Sequence, residues 1–189
     1  MSLNAESKPH SVFMMRLSRF TKDYIIILAI LIMGAIISIL SPYFLTYPNL
    51  RNILMQTSAI GIVAIGQGMI ILTGDFDLSL GQNVCMTSCL AAWMMKFGGF
   101  DPWLSLFTAF AAGCLVGLCN GVLTSYARIP CFVVTLGFQM ICRGFARIIT
   151  NAAPIPRMPE QIQFLGRGFI GGSTYGIPIS VVIMIVLQL

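Results

Sequence analysis

Charge is what this chain has least of. Eleven Lys and Arg and six Asp and Glu are spread over 189 residues, 9% of the total, where a soluble domain carries about 25%. So few charges cannot coat a water-soluble globule, which excludes an ordinary cytosolic enzyme, a secreted disulfide scaffold and a disordered tail. Histidine is nearly missing: His10 stands alone in a polar N-terminal segment. The six cysteines, Cys85, Cys89, Cys114, Cys119, Cys131 and Cys142, form no C-x-x-C pair. Cys85 and Cys89 are four apart and share a helix face, but zinc needs further His or Cys ligands. All six therefore read as free thiols serving as small hydrophobes. No Walker-type phosphate loop, G-x-S-x-G, H-E-x-x-H or dinucleotide fingerprint is found, the signatures that place a nucleophile, a metal or a phosphate. No enzyme activity, cofactor or metal is expected of this chain.

Hydrocarbon dominates instead. Apolar residues make up 57% of the chain, and its mean hydropathy is +0.89. Stretches without any charge run Tyr24–Leu50, Asn52–Gly74, Leu78–Met95, Pro102–Ala127, Ile129–Cys142 and Gly168–Leu189. A helix needs roughly 20 apolar residues to cross a bilayer, whereas barrel strands show segments of about 10 that alternate apolar and polar. The run from Ile25 to Ile32 does not alternate. The expected fold is all-α, a polytopic transmembrane helix bundle of about six spans: Tyr24–Leu40, Asn52–Thr73, Leu78–Phe97, Pro102–Ala127, Cys131–Thr150 and one opening near Ile177. Residues 1–23 are expected as a polar cytoplasmic tail ahead of a transmembrane domain over 24–189. Residues 151–175, rich in Pro, Gly and Arg, are expected as an external loop with a short surface helix. Pro42 and Pro48 end the first span, and Tyr43 and Tyr47 suit the membrane interface.

Lys8, Arg16, Arg19 and Lys22 precede the first span and hold the N-terminus at the cytoplasmic side. The net charge of +5 does not point to nucleic acid, because the basic residues are scattered and form no single patch. The lipid bilayer is the partner that the composition implies.

Within the spans, Gly113, Gly117 and Gly121 recur every four residues and stack on one helix face, a helix-packing signal. Asn120 sits beside that face. Asp75 and Asp77 flank Phe76 between two apolar runs, and two readings stand. One is a solvated loop in which Asp77 caps a helix beginning at Leu78. The other is a broken helix at a membrane cavity, where unwound backbone and a helix N-terminus meet a solute. Arg143 and Arg147, four apart, either snorkel to the interface or face inward to a carboxylate such as Asp77 or to a solute.

The run Asn49-Leu50-Arg51-Asn52-Ile53-Leu54, followed by Ile71-Leu72-Thr73-Gly74-Asp75-Phe76-Asp77-Leu78-Ser79-Leu80-Gly81, resembles the permeases of bacterial ribose-, xylose- and galactose-type ABC sugar importers, the branched binding-protein-dependent transport family. Asn120-Gly121 and Arg128-Ile129-Pro130-Cys131-Phe132-Val133-Val134-Thr135-Leu136-Gly137 are similar to its N-G and P-P-F-I-V-T-L-G segments, and Arg143-Gly144 and Pro154-Ile155 continue the pattern. Asp75 stands where the family often has Gly, and Cys131 replaces the second Pro. The resemblance implies a bacterial inner (plasma) membrane permease that works as a dimer. Its partners would be an ABC ATPase subunit, which binds the ATP, and a periplasmic or lipid-anchored sugar-binding protein. It also implies alternating access along a path of polar side chains, here Gln67, Asp75, Asp77, Ser79, Asn120, Thr135, Gln139 and Arg143. Family members are longer, so the chain is expected to be the N-terminal part of such a permease. Two other classes stay open: a secondary transporter or channel fragment driven by a proton gradient, and a non-transporting membrane subunit from a truncated gene.

Overall fold

A computed structural model describes residues 9–170 and 176–188. It forms two compact units, one up to Leu50 and one over Arg51–Leu189. Lys8 and the rest of the first eight residues lie outside the described part.

In the first unit α1 runs Pro9–Leu40. The segment expected as a polar tail is therefore helical from Pro9 onward, continuous with the apolar part Tyr24–Leu40. Around that part Ile26, Ile30, Leu31 and Ile39 are all exposed, Ile39 by 86%. A helix apolar on every side has no face for water and suits lipid. Pro42, which disfavours helix in the residue before it, stops α1 at Leu40. The turn that follows satisfies its own backbone: the Thr46 N–H and hydroxyl both donate to the Tyr43 carbonyl at 3.2 and 2.7 Å. The Asn49 amide donates to the Phe44 carbonyl at 2.8 Å.

α2 spans Tyr47–Leu72. Pro48, expected as a breaker, sits in its first turn, where a missing N–H removes no helix bond. The second unit continues with α3 (Leu80–Lys96), α4 (Pro102–Ser125), α5 (Cys131–Thr150), the short α6 (Glu160–Arg167), a two-residue strand pair β1 (Phe169–Ile170) and β2 (Ile177–Pro178), and α7 (Ile179–Gln188). The strands pair antiparallel, Phe169 opposite Pro178 and Ile170 opposite Ile177. The short helix α6 and strand β1 fall within the expected 151–175 loop, whose residues 171–175 lie outside the described part, and β2 occupies Ile177–Pro178, where the sixth span was expected to open. The Arg51 guanidinium at the start of α2 stacks 3.4 Å above the Phe169 ring, a cation–π contact that ties the strand pair to a helix.

α3 is the centre of the unit. It runs antiparallel to α4, so Asn83 meets Gly113 and Ser79 meets Asn120. It runs parallel to α5, so both helices begin near Phe76 and Asp77. The core between them is made of small or thin side chains: Met86, Cys142 and Ala146, with Cys89, Ala112 and Val116 packed against it. Ala91, Ser105 and Ala109 are also buried. Small residues let backbones approach closely, the usual basis of helix association where lipid is as apolar as the protein. The N-terminus of α4 is capped by Asp101, whose side chain accepts from the N–H groups of Trp103 and Leu104 at 2.9 and 3.2 Å, with Pro102 at the first helical position.

Among the described residues three helices, α2, α4 and α5, are long and apolar enough to cross a membrane. The apolar part of α1 and the whole of α7 are shorter, and α3 has 17 residues. The charge-free stretches run past the helix ends, because an apolar run also counts residues that fold as turns. Leu78, Ser79 and Phe97 lie outside α3, and Tyr126 and Ala127 outside α4.

The glycine face of α4 divides. A Cβ on Gly113 would lie 3.2 Å from Thr87 Cγ2 of α3, while at Gly117 and Gly121 nothing comes within 4 Å. Replacing Gly113 by Val should therefore overpack the α3–α4 contact at a cost of about 1–3 kcal/mol, seen as a lower thermal midpoint of the detergent-solubilised chain by circular dichroism. Gly117→Val should leave that midpoint unchanged or raise it. Equal losses at both positions would contradict the packing described.

Candidate functional site

The break between α2 and α3 is where the unusual backbone and the polar side chains meet. α2 ends in a Schellman motif: Gly74, at φ +86°, donates its N–H to the Ile71 carbonyl at 3.0 Å, and Asp75 donates to Ile70 at 3.3 Å. The left-handed position is open to Gly without strain. Two carbonyls that would otherwise end a helix unpaired are thereby satisfied.

Asp77 organises the other side of the break. Its Oδ1 accepts from both the N–H and the hydroxyl of Ser79, each at 2.7 Å, an Asx-type turn in which a short side chain stands in for backbone. The helix accordingly starts at Leu80 with Ser79 as its N-cap residue, two positions later than the cap expected at Asp77. From α4, Asn120 Nδ2 donates to Ser79 Oγ at 2.8 Å and to Asp77 Oδ2 at 3.4 Å. From α5, Cys131 Sγ donates to the Phe76 carbonyl at 3.3 Å. Ser79 and Asn120 are 1% and 5% exposed. The carboxylate thus sits where the N-terminal ends of α3 and α5 converge, the ends at which helix dipoles favour negative charge.

Of the residues singled out from sequence, Asp77, Ser79 and Asn120 come together in this knot. Asp75 is exposed in the break. Thr135 is buried in the second turn of α5 and donates its hydroxyl to the Cys131 carbonyl at 2.8 Å. Gln139 is half-buried further along α5. Gln67 lies in α2 with both amide atoms buried and unpartnered. Arg143 lines a cavity of about 640 Å³ between α3 and α5, together with Arg147, Gln82 and Ser88. It does not reach Asp77 as an ion pair. No group of three or more His, Cys, Asp or Glu able to hold a metal occurs among the described residues.

Three further polar residues were not singled out. Asn83 donates to the Gly113 carbonyl at 3.2 Å, leaving its Oδ1 buried and unpaired. Thr124, one turn beyond Asn120 on α4, has an unpaired hydroxyl, as does Ser180 on α7; Asn120 Oδ1 is unpaired as well. The signal was available: each is a polar residue inside a charge-free run, and Thr124 shares a helix face with Asn120. Unpaired polar atoms in an apolar setting are costly and are ready to bond a hydroxyl-bearing solute or water.

Lipid-suited helices, three of them long and apolar enough to cross a membrane among the described residues, define an all-α membrane protein. The chain belongs to the family described as branched-chain amino acid transport system / permease component, whose profile matches residues 49–188. It is 34% identical to the ribose import permease protein RbsC of Escherichia coli (strain K12) over 169 residues, 87% of this chain and 52% of that protein. It is 32% identical to the D-allose transport system permease protein AlsC of the same strain over 165 residues, covering 86% and 48%. With the xylose transport system permease protein XylH of Haemophilus influenzae (strain ATCC 51907 / DSM 11121 / KW20 / Rd) the identity is 29% over 148 residues, covering 78% and 40%. The chain spans about half the length of these curated relatives. No solved structure matches it.

The knot can be tested without any solute. Asn120→Leu removes the donor to the buried Ser79 Oγ and the half-buried Asp77 Oδ2 and should lower stability by about 1–3 kcal/mol. Asp77→Asn keeps an acceptor for the Ser79 N–H and hydroxyl and should cost less. Thermal or denaturant unfolding in detergent reads both, and the reverse order of losses would contradict the geometry.

Proposed function

We propose that this chain is a permease subunit of an ATP-driven ABC importer for a small sugar, a ribose-like monosaccharide. ATP is bound and hydrolysed on a separate ATPase subunit, and the solute arrives from an external binding protein. Two permease subunits form the path, and the N-terminus faces the cytoplasm with about six passes through the bilayer. The observation that carries this reading is the likeness to ribose, allose and xylose permeases across most of the chain, which includes the α2–α3 break.

The proposed path follows the polar side chains around the break. Gln67, Asn120 and Thr124 offer buried amide and hydroxyl atoms without partners. A sugar hydroxyl both donates and accepts and can use them in turn. Asp77, Ser79, Thr135 and Gln139 continue the polar lining, Asp75 stands at its exposed end, and Arg143 faces the α3–α5 cavity. Weak, replaceable hydrogen bonds suit a passage from which the solute must also leave. Alternating access moves the helices around this site as nucleotide binds and leaves the partner subunits. Gly117 and Gly121, open in the single chain, offer a surface on which a further helix packs.

Uptake of labelled ribose into vesicles carrying the permease, its ATPase and its binding protein tests the proposal. Uptake should disappear when the ATPase cannot hydrolyse ATP and should survive collapse of the proton gradient; the opposite pattern would move the chain to the secondary transporters. Gln67→Ala should slow uptake about two- to tenfold, the effect of losing one hydrogen bond of ~0.5–1.5 kcal/mol, with membrane insertion unchanged.

A further inference from the structure

Cys85 and Cys89 are left unused by the transport reading. They stand one turn apart on α3, and both line the cavity of about 640 Å³ against α5. Both are free thiols. Cys89 also packs against the Met86–Cys142–Ala146 core, which anchors one arm of the pair while Cys85 is exposed.

The spacing decides what such a pair can take. Side chains four apart on a helix have Cβ atoms about 5–6 Å apart, whereas a disulfide needs them within about 3.5–4.5 Å. Direct oxidation would distort the helix. A single bridging atom with two bonds of about 2.3 Å to sulfur, the length zinc makes, holds thiols ~3.5–4 Å apart and fits without distortion. Zinc itself needs four ligands, and no third His, Cys, Asp or Glu joins the pair among the described residues. A species that takes two thiols and brings its own remaining ligand is the match. The other cysteines offer no such pair: Cys114 and Cys119 are five apart on α4 and diverge around it, Cys131 is bonded to the Phe76 carbonyl, and Cys142 is fully buried.

We infer that Cys85 and Cys89 form a two-thiol site for a soft, thiophilic species of the monosubstituted trivalent arsenical class. With phenylarsine oxide the arsenic–oxygen bond breaks and two arsenic–sulfur bonds form. The oxygen leaves as water with the two thiol protons, and arsenic stays trivalent, so no oxidant is needed. The phenyl group occupies the cavity beside Ala92 and Ala146.

The test is intact-protein and peptide mass spectrometry of the purified chain in detergent after treatment with phenylarsine oxide. One phenylarsenic group per chain is expected, linking Cys85 and Cys89, removed by 2,3-dimercaptopropanol and resistant to glutathione. Cys85→Ser and Cys89→Ser should each weaken binding about a hundredfold, the gain expected from tethering a second ligand, and Cys114→Ser should not. An adduct mapped in the unsubstituted chain to other cysteines, or one that persists in the Cys85→Ser, Cys89→Ser double variant, would overturn the assignment. The peptide map does not depend on the variants folding.

Discussion

A backbone N–H or carbonyl left unpaired in hydrocarbon costs several kcal/mol, and no water is present to relieve it. That constraint makes the α2–α3 break the decisive feature of this chain. Elsewhere the helices satisfy themselves. Here the polypeptide leaves one helix and enters another, and the open groups must be closed by the protein. Gly74 does so for the end of α2 through its left-handed conformation, and Asp77 for the entry to α3 through Ser79. Asn120 and Cys131 extend the closure to α4 and α5. The four helices are thereby pinned at one level, and the parallel course of α3 and α5 follows from it. Behind the knot, packing is left to small or thin side chains such as Met86, Cys142, Ala146 and Ser105, which let the helices approach.

Much of this was legible in the residues. Low charge and long apolar runs announce helices in lipid, and the positions of the helices agree with the charge-free stretches. The Gly-Asp-Phe-Asp run marks a break, and of the polar residues singled out the structure gathers Asp77, Ser79 and Asn120 there. What stayed hidden depends on distance along the chain. Asn120 lies 43 residues from Asp77, and no local pattern says that α4 folds back to bring them together. The helix start also shifted, because the Asp77 side chain can close a turn as readily as cap a helix, and the hydroxyl of Ser79 tips the balance toward the turn. The charge-free stretches run past the helix ends for a related reason: hydropathy measures composition, and a turn can be as apolar as a helix. Gly113, Gly117 and Gly121 look equivalent by spacing, yet only Gly113 meets a neighbour.

Membership in the permease family and the geometry of the break bear on each other. A knotted break between two apolar helices brings polar groups together beside apolar segments. Asn120 Oδ1, in that knot, is buried without a partner, as are the Gln67 amide atoms on α2 and the Thr124 hydroxyl on α4. Under the proposed function, the same atoms that are a cost to a closed bundle bond a hydroxyl-bearing solute as it passes. The chain accounts for about half the length of its relatives, so the proposed path is read from one wall of it.

The most direct measurement is cysteine accessibility in the assembled transporter. Single cysteines would be placed at Gln67, Thr135 and Gln139 in a cysteine-free background, with the exposed apolar Leu115 and Leu118 as controls, and challenged with a membrane-impermeant maleimide. The path proposed here predicts labelling at the first three that changes when nucleotide binds and is slowed by solute, with none at the controls. Labelling that is absent at all three, or indifferent to nucleotide and solute, would contradict it.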